Sequence, residues 1–378
     1  ILTGPLPTPG VAFVTQSMRA DVGIMISASH NPYYDNGIKI FDKSGHKLPD
    51  EVELELEKMT LNPEMIPKKL DDELGSARRL DEVVGRYIVK VKQALPDRYS
   101  LEGMRLVVDA AHGASYKVAS MVFSELGAEV VSIGNAPNGQ NINDNVGALH
   151  PETCVEYVKK YRADLGVCLD GDGDRLVIVD NLGNILDGDV LIGILSKYLL
   201  QTDQLGDNLE VVGTVMSNLG LENFIKGLGG KFFRTNVGDR YIVERMLSEK
   251  SVFGGEPSGH LIFKEISTTG DGILAALKVI ECLKYNKKPL EELASEVKLY
   301  PQRLINIKVK DKVPFDEIPG LNQAVQDSTE KMSSEGRVLL RYSGTEKLAR
   351  VMVEGKDEDL VNNECQSLAD FIKKNIGV

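Results

Sequence analysis

Short apolar runs alternate with stretches whose apolar residues recur every three to four positions, and this alternation organises most of the chain. The run Val22-Gly23-Ile24-Met25-Ile26 predicts a buried strand, and Asn36-Gly37 before Ile38 to Phe41 predicts a turn followed by a second strand. Pro49-Asp50-Glu51 opens a helix, Val84 to Val91 continues helically, and Pro96 interrupts. From Arg105 a strand (105–108), a helix (116–126), a strand (129–132), a helix from Glu152 and a strand (165–169) follow one another. A strand at 176–179, the turn 181–184 and a helix ending near Leu200 complete this unit. After a polar linker at 201–208 the scheme repeats, with strand 209–215, helix 221–228, strand 231–234, helix 241–247, two apolar segments at 252–253 and 261–263, and helix 272–285. Strands that alternate with helices build mainly parallel sheets, because parallel neighbours need a crossover. The tail differs. Strand 305–309, helix 321–332, strands 338–342 and 349–354 and helix 360–376 place two strands side by side in sequence, the pattern of an antiparallel α+β unit.

The expected fold is therefore α/β, with three similar mixed or mainly parallel α/β domains and a C-terminal α+β domain. The breaks at Leu95-Pro96-Asp97, 201–208 and Tyr300-Pro301 divide it into 1–98, 99–203, 204–301 and 302–378. A length of 378 residues suits several domains. The net charge of −12 opposes nonspecific nucleic-acid binding, so an anionic ligand would need local arginines and lysines. No stretch approaches the roughly twenty apolar residues that span a bilayer, and no signal-peptide pattern opens at Ile1, so the expected location is the cytoplasm. Cys154, Cys168, Cys282 and Cys365 lack metal or redox spacing and read as buried thiols.

Four segments carry chemistry. Ser27-Ala28-Ser29-His30-Asn31-Pro32 places hydroxyls at the tip of the first strand, with His30 and Lys39 close by in sequence. A serine here is either a turn residue bonded to its own backbone or a nucleophile. Asp170-Gly171-Asp172-Gly173-Asp174-Arg175 offers three hard oxygen ligands that suit Mg²⁺, with carboxylates on one side if the segment is extended. An EF-hand loop is excluded, since its sixth and twelfth places hold Arg175 and Asn181. A haloacid-type phosphatase is excluded by Asp174 where threonine or valine belongs. In Gly255-Glu256-Pro257-Ser258-Gly259-His260, Glu256 and Ser258 can hold sugar hydroxyls or an amine and His260 can move a proton; an ordinary loop is the plainer reading. Arg341-Tyr342-Ser343-Gly344-Thr345-Glu346, with Arg350 as a second guanidinium, is either a phosphate cradle or a surface hairpin.

In this order, these four segments resemble the signature loops of the α-D-phosphohexomutases, one per domain across nearly the whole chain. Asn31 to Lys39 and Val237-Gly238-Asp239-Arg240-Tyr241 are most similar to the branch that acts on glucosamine phosphates. The resemblance implies four domains around a cleft and an isomerase that interconverts glucosamine 6-phosphate and glucosamine 1-phosphate. Glucosamine 1,6-bisphosphate would be the intermediate and activator. It implies Ser29 as the phosphorylated serine and Mg²⁺ held by Asp170, Asp172, Asp174 and a Ser29 phosphate oxygen. His30, Lys39 and His260 would be catalytic, Lys39 acting as base only if its pKa is depressed. Arg175, Asp239, Arg240, Glu256 and Ser258 would face the sugar, and Arg341, Ser343, Gly344, Thr345 and Arg350 the nonreacting phosphate. The tail would close as a lid, and a homodimer is allowed. The family normally begins with a further strand and helix bearing Thr-Asp-Gly-x-Arg-Gly, so a piece of that kind is expected to be missing from this numbering. The rivals are a mutase acting on glucose or mannose phosphates, a phosphatase using Ser29, and a noncatalytic sugar-phosphate binder.

Overall fold

The computed structural model of the chain describes residues 1–70, 73–343 and 346–378. In the first unit, α1 (Thr8–Ser17) precedes β1 (Val22–Ile26) and β2 (Ile38–Asp42), which pair antiparallel with Ile24 opposite Ile40. This antiparallel pair fits the turn read before Ile38 and the mixed sheets expected, because the link from Ser27 to Gly37 contains no helix and returns the chain directly. Helices α2 (Asp50–Leu61) and α3 (Val83–Lys92) follow. α1 was not legible as a helix. Prolines at its start fit the first turn, where the missing N–H costs nothing, but the buried residues run through most of its length and leave no polar stripe.

The second unit contains β3 (Arg105–Asp109), α4 (Val118–Glu125), β4 (Glu129–Ile133), α5 (Glu152–Tyr161), β5 (Leu165–Leu169), β6 (Leu176–Asp180) and the short β7 (Ile185–Leu186). The sheet order is β4-β3-β5-β6-β7, parallel from β4 to β5 and antiparallel beyond. β5 and β6 are buried along their whole lengths, which is why both read as unbroken apolar runs. Only Asp170 to Arg175 joins them, too short for a crossover, so β6 turns back beside β5 and the aspartates occupy a hairpin.

α6 (Gly188–Gln201) packs on α7 (Leu219–Gly227) and α9 (Gly272–Asn286) of the third unit. There, β8 (Glu210–Thr214), β9 (Lys231–Thr235), β10 (Phe253–Gly255) and β11 (Leu261–Phe263) form a sheet in the order β11-β10-β8-β9, with α8 (Asp239–Glu249) and α10 (Leu290–Glu296) alongside. The tail is antiparallel as expected. β12 (Gln302–Lys308), β13 (Gly336–Tyr342) and β14 (Leu348–Gly355) lie in the order β12-β14-β13 under α11 (Leu321–Met332) and α12 (Glu358–Ile376). One continuous apolar core runs from Leu6 to Val297 through all three α/β units, while the tail keeps a separate core around Val351, Val353 and Leu368.

Candidate active site

The serine and the aspartates converge. Ser29 Oγ donates to Asp170 Oδ2 at 2.8 Å across 141 residues of sequence. Ser29 takes a left-handed backbone (φ 54°), uncommon for a residue with a side chain, and its N–H is held by Ser27 Oγ at 2.9 Å. One oxygen from each of Asp170, Asp172 and Asp174 falls within 4.8 Å of the others, and the three residues are 1 %, 0 % and 3 % exposed. The segment is a turn, so the alternation along an extended chain does not set the carboxylates' direction. Asp170 Oδ1 accepts from the N–H groups of Asp174 and Arg175 at 3.1 and 3.2 Å, wrapping the backbone around its own carboxylate.

Packing three buried carboxylates together is costly unless cations face them. Lys39 supplies one, with Nζ 2.5 Å from Asp172 Oδ2 and 2.9 Å from Asp174 Oδ2. Burial works against its charge, but Asp174 and Asp172 outweigh burial and hold the ammonium well above its ordinary pKa. The depressed pKa expected of Lys39 as a base is therefore absent in this arrangement. Burial and the two neighbouring aspartates push Asp170 upward, whereas His260 and Lys39 overcome burial and keep Asp174 well below the usual carboxylate range. Asp172 Oδ1 and Asp174 Oδ1 are buried without hydrogen-bond partners. Hard oxygens in negative excess, two of them unused, are a donor set that fits Mg²⁺.

The third loop docks on this cluster. Leu176 N–H donates to Gly259 O at 3.0 Å and Gly188 N–H to Pro257 O at 3.1 Å, and Ser258 Oγ donates to Glu256 at 3.3 Å. Glu256 Oε1 accepts from Gly238 N–H at 3.0 Å, which joins the loop to the Val-Gly-Asp-Arg segment. His260 is buried with Nδ1 3.6 Å from Asp174 and Nε2 3.5 Å from Asp239. Burial disfavours its charge, but the two carboxylates raise its pKa overall. Nε2 nevertheless accepts the Gly270 N–H at 3.0 Å. That bond requires a lone pair, so the imidazole carries its proton on Nδ1, facing Asp174. His30 lies nearby with Nδ1 buried and unpartnered, its pKa lowered by burial and then by Arg175. Arg175 Nε sits 4.0 Å from Asp170.

Asp239 and Arg240 are engaged with the first unit. Asp239 pairs with Lys47, and Arg240 pairs with Asp50 at the start of α2 and lies 3.9 Å from Glu53. On the tail, Arg341 and Arg350 face each other across β13 and β14, each with Nε buried and unpartnered. Burial and then Arg350 lower the pKa of Arg341. Lys312 donates to Ser343 O at 2.6 Å beside them. Gly344 and Thr345 lie outside the described residues. Among the described residues, no hydrogen bond or ion pair joins this tail cluster to the Ser29 and aspartate clusters.

Sequence reasoning missed Thr8, whose hydroxyl and N–H both donate to Asp172. It missed Lys47 and Asp50 as partners of Asp239 and Arg240, and Asn143, which reaches the Ser29 loop. Thr8 at least stands in a Thr-Pro helix start; the others carry no local signal.

Signatures described as phosphoglucomutase/phosphomannomutase α/β/α domains I, II and III match residues 1–65, 85–183 and 187–300, and the C-terminal domain matches 304–371. The chain belongs to this family, the α-D-phosphohexomutases. Phosphoglucosamine mutase from Desulfovibrio desulfuricans is 48% identical over 377 residues, spanning 100% of this chain and 84% of the relative. That from Solidesulfovibrio magneticus is 50% identical over 374 residues, spanning 99% and 83%. Among solved phosphohexomutases, a phosphoglucomutase/phosphomannomutase family protein from Burkholderia thailandensis superposes with a TM-score of 0.78 at 21% identity, covering 99% of this chain and 83% of that one. The N-acetylphosphoglucosamine mutase of Aspergillus fumigatus, solved with GlcNAc-6P and magnesium, superposes with a TM-score of 0.75 at 19% identity, covering 97% and 92%. These two likenesses carry the fold. Among the described residues, no helix is long and apolar enough to cross a membrane.

Proposed function

We propose that this chain is a phosphoglucosamine mutase, interconverting glucosamine 6-phosphate and glucosamine 1-phosphate through phosphorylated Ser29 and a 1,6-bisphosphate. The observation that carries this reading is the hydrogen bond from Ser29 to Asp170, which sets a hydroxyl directly on a buried carboxylate cluster. The identity to curated phosphoglucosamine mutases supports the choice of sugar.

In the first half-reaction the free hydroxyl of the sugar phosphate attacks the phosphorus on Ser29. A bond forms to the sugar oxygen, the bond to Ser29 Oγ breaks, and the sugar leaves this step as the bisphosphate. Lys39, an ammonium beside the cluster, returns a proton to the departing serine oxygen. The sugar hydroxyl loses its proton to a second group, for which His260 is the candidate once the Gly270 N–H is released. The bisphosphate then turns round, and its other phosphoryl group passes back to Ser29. Asp170, Asp172 and Asp174 would hold Mg²⁺, which offsets negative charge on the transferring group when bound. Glu256 and Ser258 orient the sugar, and the Arg341–Arg350 pair accepts either phosphate after the turn, since a guanidinium is always charged and multidentate.

Ser29→Ala is expected to lose mutase turnover and the phosphate-sized mass increment of the intact protein. A near-normal rate in this variant refutes the nucleophile. Comparing kcat/KM for glucosamine, N-acetylglucosamine, glucose and mannose 6-phosphates tests the sugar. Stoichiometric release of inorganic phosphate in place of isomer would identify a phosphatase.

A further inference from the structure

Asn143 lies outside all four motif loops, yet it touches the one that bears the nucleophile. It is 8 % exposed, and both hydrogens of its amide are used. Nδ2 donates to Ser29 O at 3.0 Å and to Asn31 O at 2.9 Å, reaching from the second unit to the first. Its own position is fixed from beneath, because Asn143 N–H donates to Ala111 O at 2.9 Å just past the end of β3. The fork passes over Gly171. A Cβ there would stand 2.5 Å from Ser29 O and 2.8 Å from Asn143 Nδ2, so the glycine in the aspartate run makes room for this contact. Asn143 also has a left-handed backbone (φ 59°), a conformation that asparagine tolerates better than most residues.

The direct bond from Ser29 Oγ to Asp170 exists only while the hydroxyl carries a hydrogen. Once the oxygen is esterified by phosphate, that donor is gone, and only a cation between phosphate and carboxylates would link the two side chains. The Asn143 fork grips main-chain oxygens and does not depend on the state of the side chain. We propose that Asn143 is a positioning residue that holds Ser29 over the aspartates in both the free and the phosphorylated states of the cycle. Without it, a left-handed serine on a loop of the first unit loses its two-pronged main-chain tie to the second unit when it is phosphorylated. A displacement of about 1 Å at a reacting atom costs up to roughly 100-fold in rate.

This inference rests on the reading of Ser29 as the phosphoryl carrier, and the test separates the two. Asn143→Gly removes the fork while keeping the backbone free to adopt a positive φ. Asn145→Gly is its matched control, a left-handed asparagine of the same loop whose side-chain amide bonds to Asp144 and, among the described residues, to nothing on the Ser29 loop. Each full-length variant is incubated with glucose 1,6-bisphosphate and Mg²⁺, and Ser29 phosphate is followed by mass spectrometry alongside kcat and KM for glucosamine 1-phosphate. Asn143→Gly is expected to slow Ser29 phosphorylation and kcat by roughly 10- to 100-fold with KM changed by less than about twofold, while Asn145→Gly stays within about twofold of the parent. If Asn143→Gly melts well below its control, the isosteric Asn143→Asp replaces it, since it keeps the volume and turns an acceptor toward the two carbonyls. Variants at 143 that match Asn145→Gly overturn the positioning role alone. A parent protein that takes up no phosphate on Ser29 overturns both readings.

Discussion

If Asp170 holds Mg²⁺ as proposed, it serves binding and stability with opposite signs. Its carboxylate accepts from Ser29 Oγ and from two backbone N–H groups, yet burial, then the charges of Asp174 and Asp172, push its pKa well up. Asp170→Asn keeps the shape and the backbone acceptor while removing a carboxyl whose charge burial and its neighbours oppose. The metal-free variant is expected to melt a few degrees higher than the parent, a gain on the order of 1–2 kcal/mol, while mutase activity falls at least about 100-fold. Thermal melts with and without Mg²⁺ check this, and the variant should lose the upward shift that the cation gives the parent. A lower melting point without metal would show that the three carboxylates do not repel one another there. Lys39 belongs to the same balance. It pairs with Asp172 and Asp174, so Lys39→Met should weaken folding and transfer together.

Loops at strand ends carry the proposed chemistry, and their shapes depend on close backbone approach. Gly259 has φ +86°, and a Cβ on it would run into the carbonyl oxygen of Leu176. Gly259→Ala is expected to lift Glu256, Ser258 and His260 off the start of β6 and to cut kcat/KM at least about tenfold, with the far-UV circular dichroism unchanged. Elements of this kind were legible in advance where a signal is local. β5 and β6 announce themselves as unbroken apolar runs, α11 as periodic spacing, and the aspartate run and Ser29 as compact clusters of reactive side chains. α1 was hidden because Pro7, Pro9 and Gly10 disguise a helix whose burial is nearly uniform. β7 and α10 are short, with two and seven residues, and show little period. The antiparallel pairing of β1 with β2 follows from a loop without a crossover helix. Asn143, Lys47 and Asp50 escaped notice for a different reason. Each acquires its role from a partner more than a hundred positions away, and no window of sequence contains both halves.

Across the whole molecule, three α/β units share one apolar core and the tail keeps its own, so relative motion is cheapest where the chain crosses between them at Tyr300-Pro301. Asn218 ties that crossing, donating to Tyr300 O and accepting from Tyr300 N–H, both at 2.9 Å. Arg337 adds a bond to Ser217 O at 2.7 Å. Beneath them Asp189 accepts from Asn218 N–H at 2.8 Å. Burial raises its pKa to about 7, helped by Asp187 and Glu354 and opposed by the Asn218 N–H and Arg234. The folded protein therefore binds this proton more tightly than the unfolded chain, whose carboxyl titrates near 3.8. The stability it contributes is fully present below pH 3.8, falls as pH rises, and is gone above about 7, with a bound of roughly 4 kcal/mol on the total. Asp189→Asn keeps an acceptor for Asn218 and removes the titration. Subtracting its unfolding free energy from that of the parent at each pH isolates this one group. The parent should be progressively less stable relative to the variant from pH 5 to pH 8, and a difference that stays flat over that interval would mean that Asp189 ionises without strain at the root of the tail.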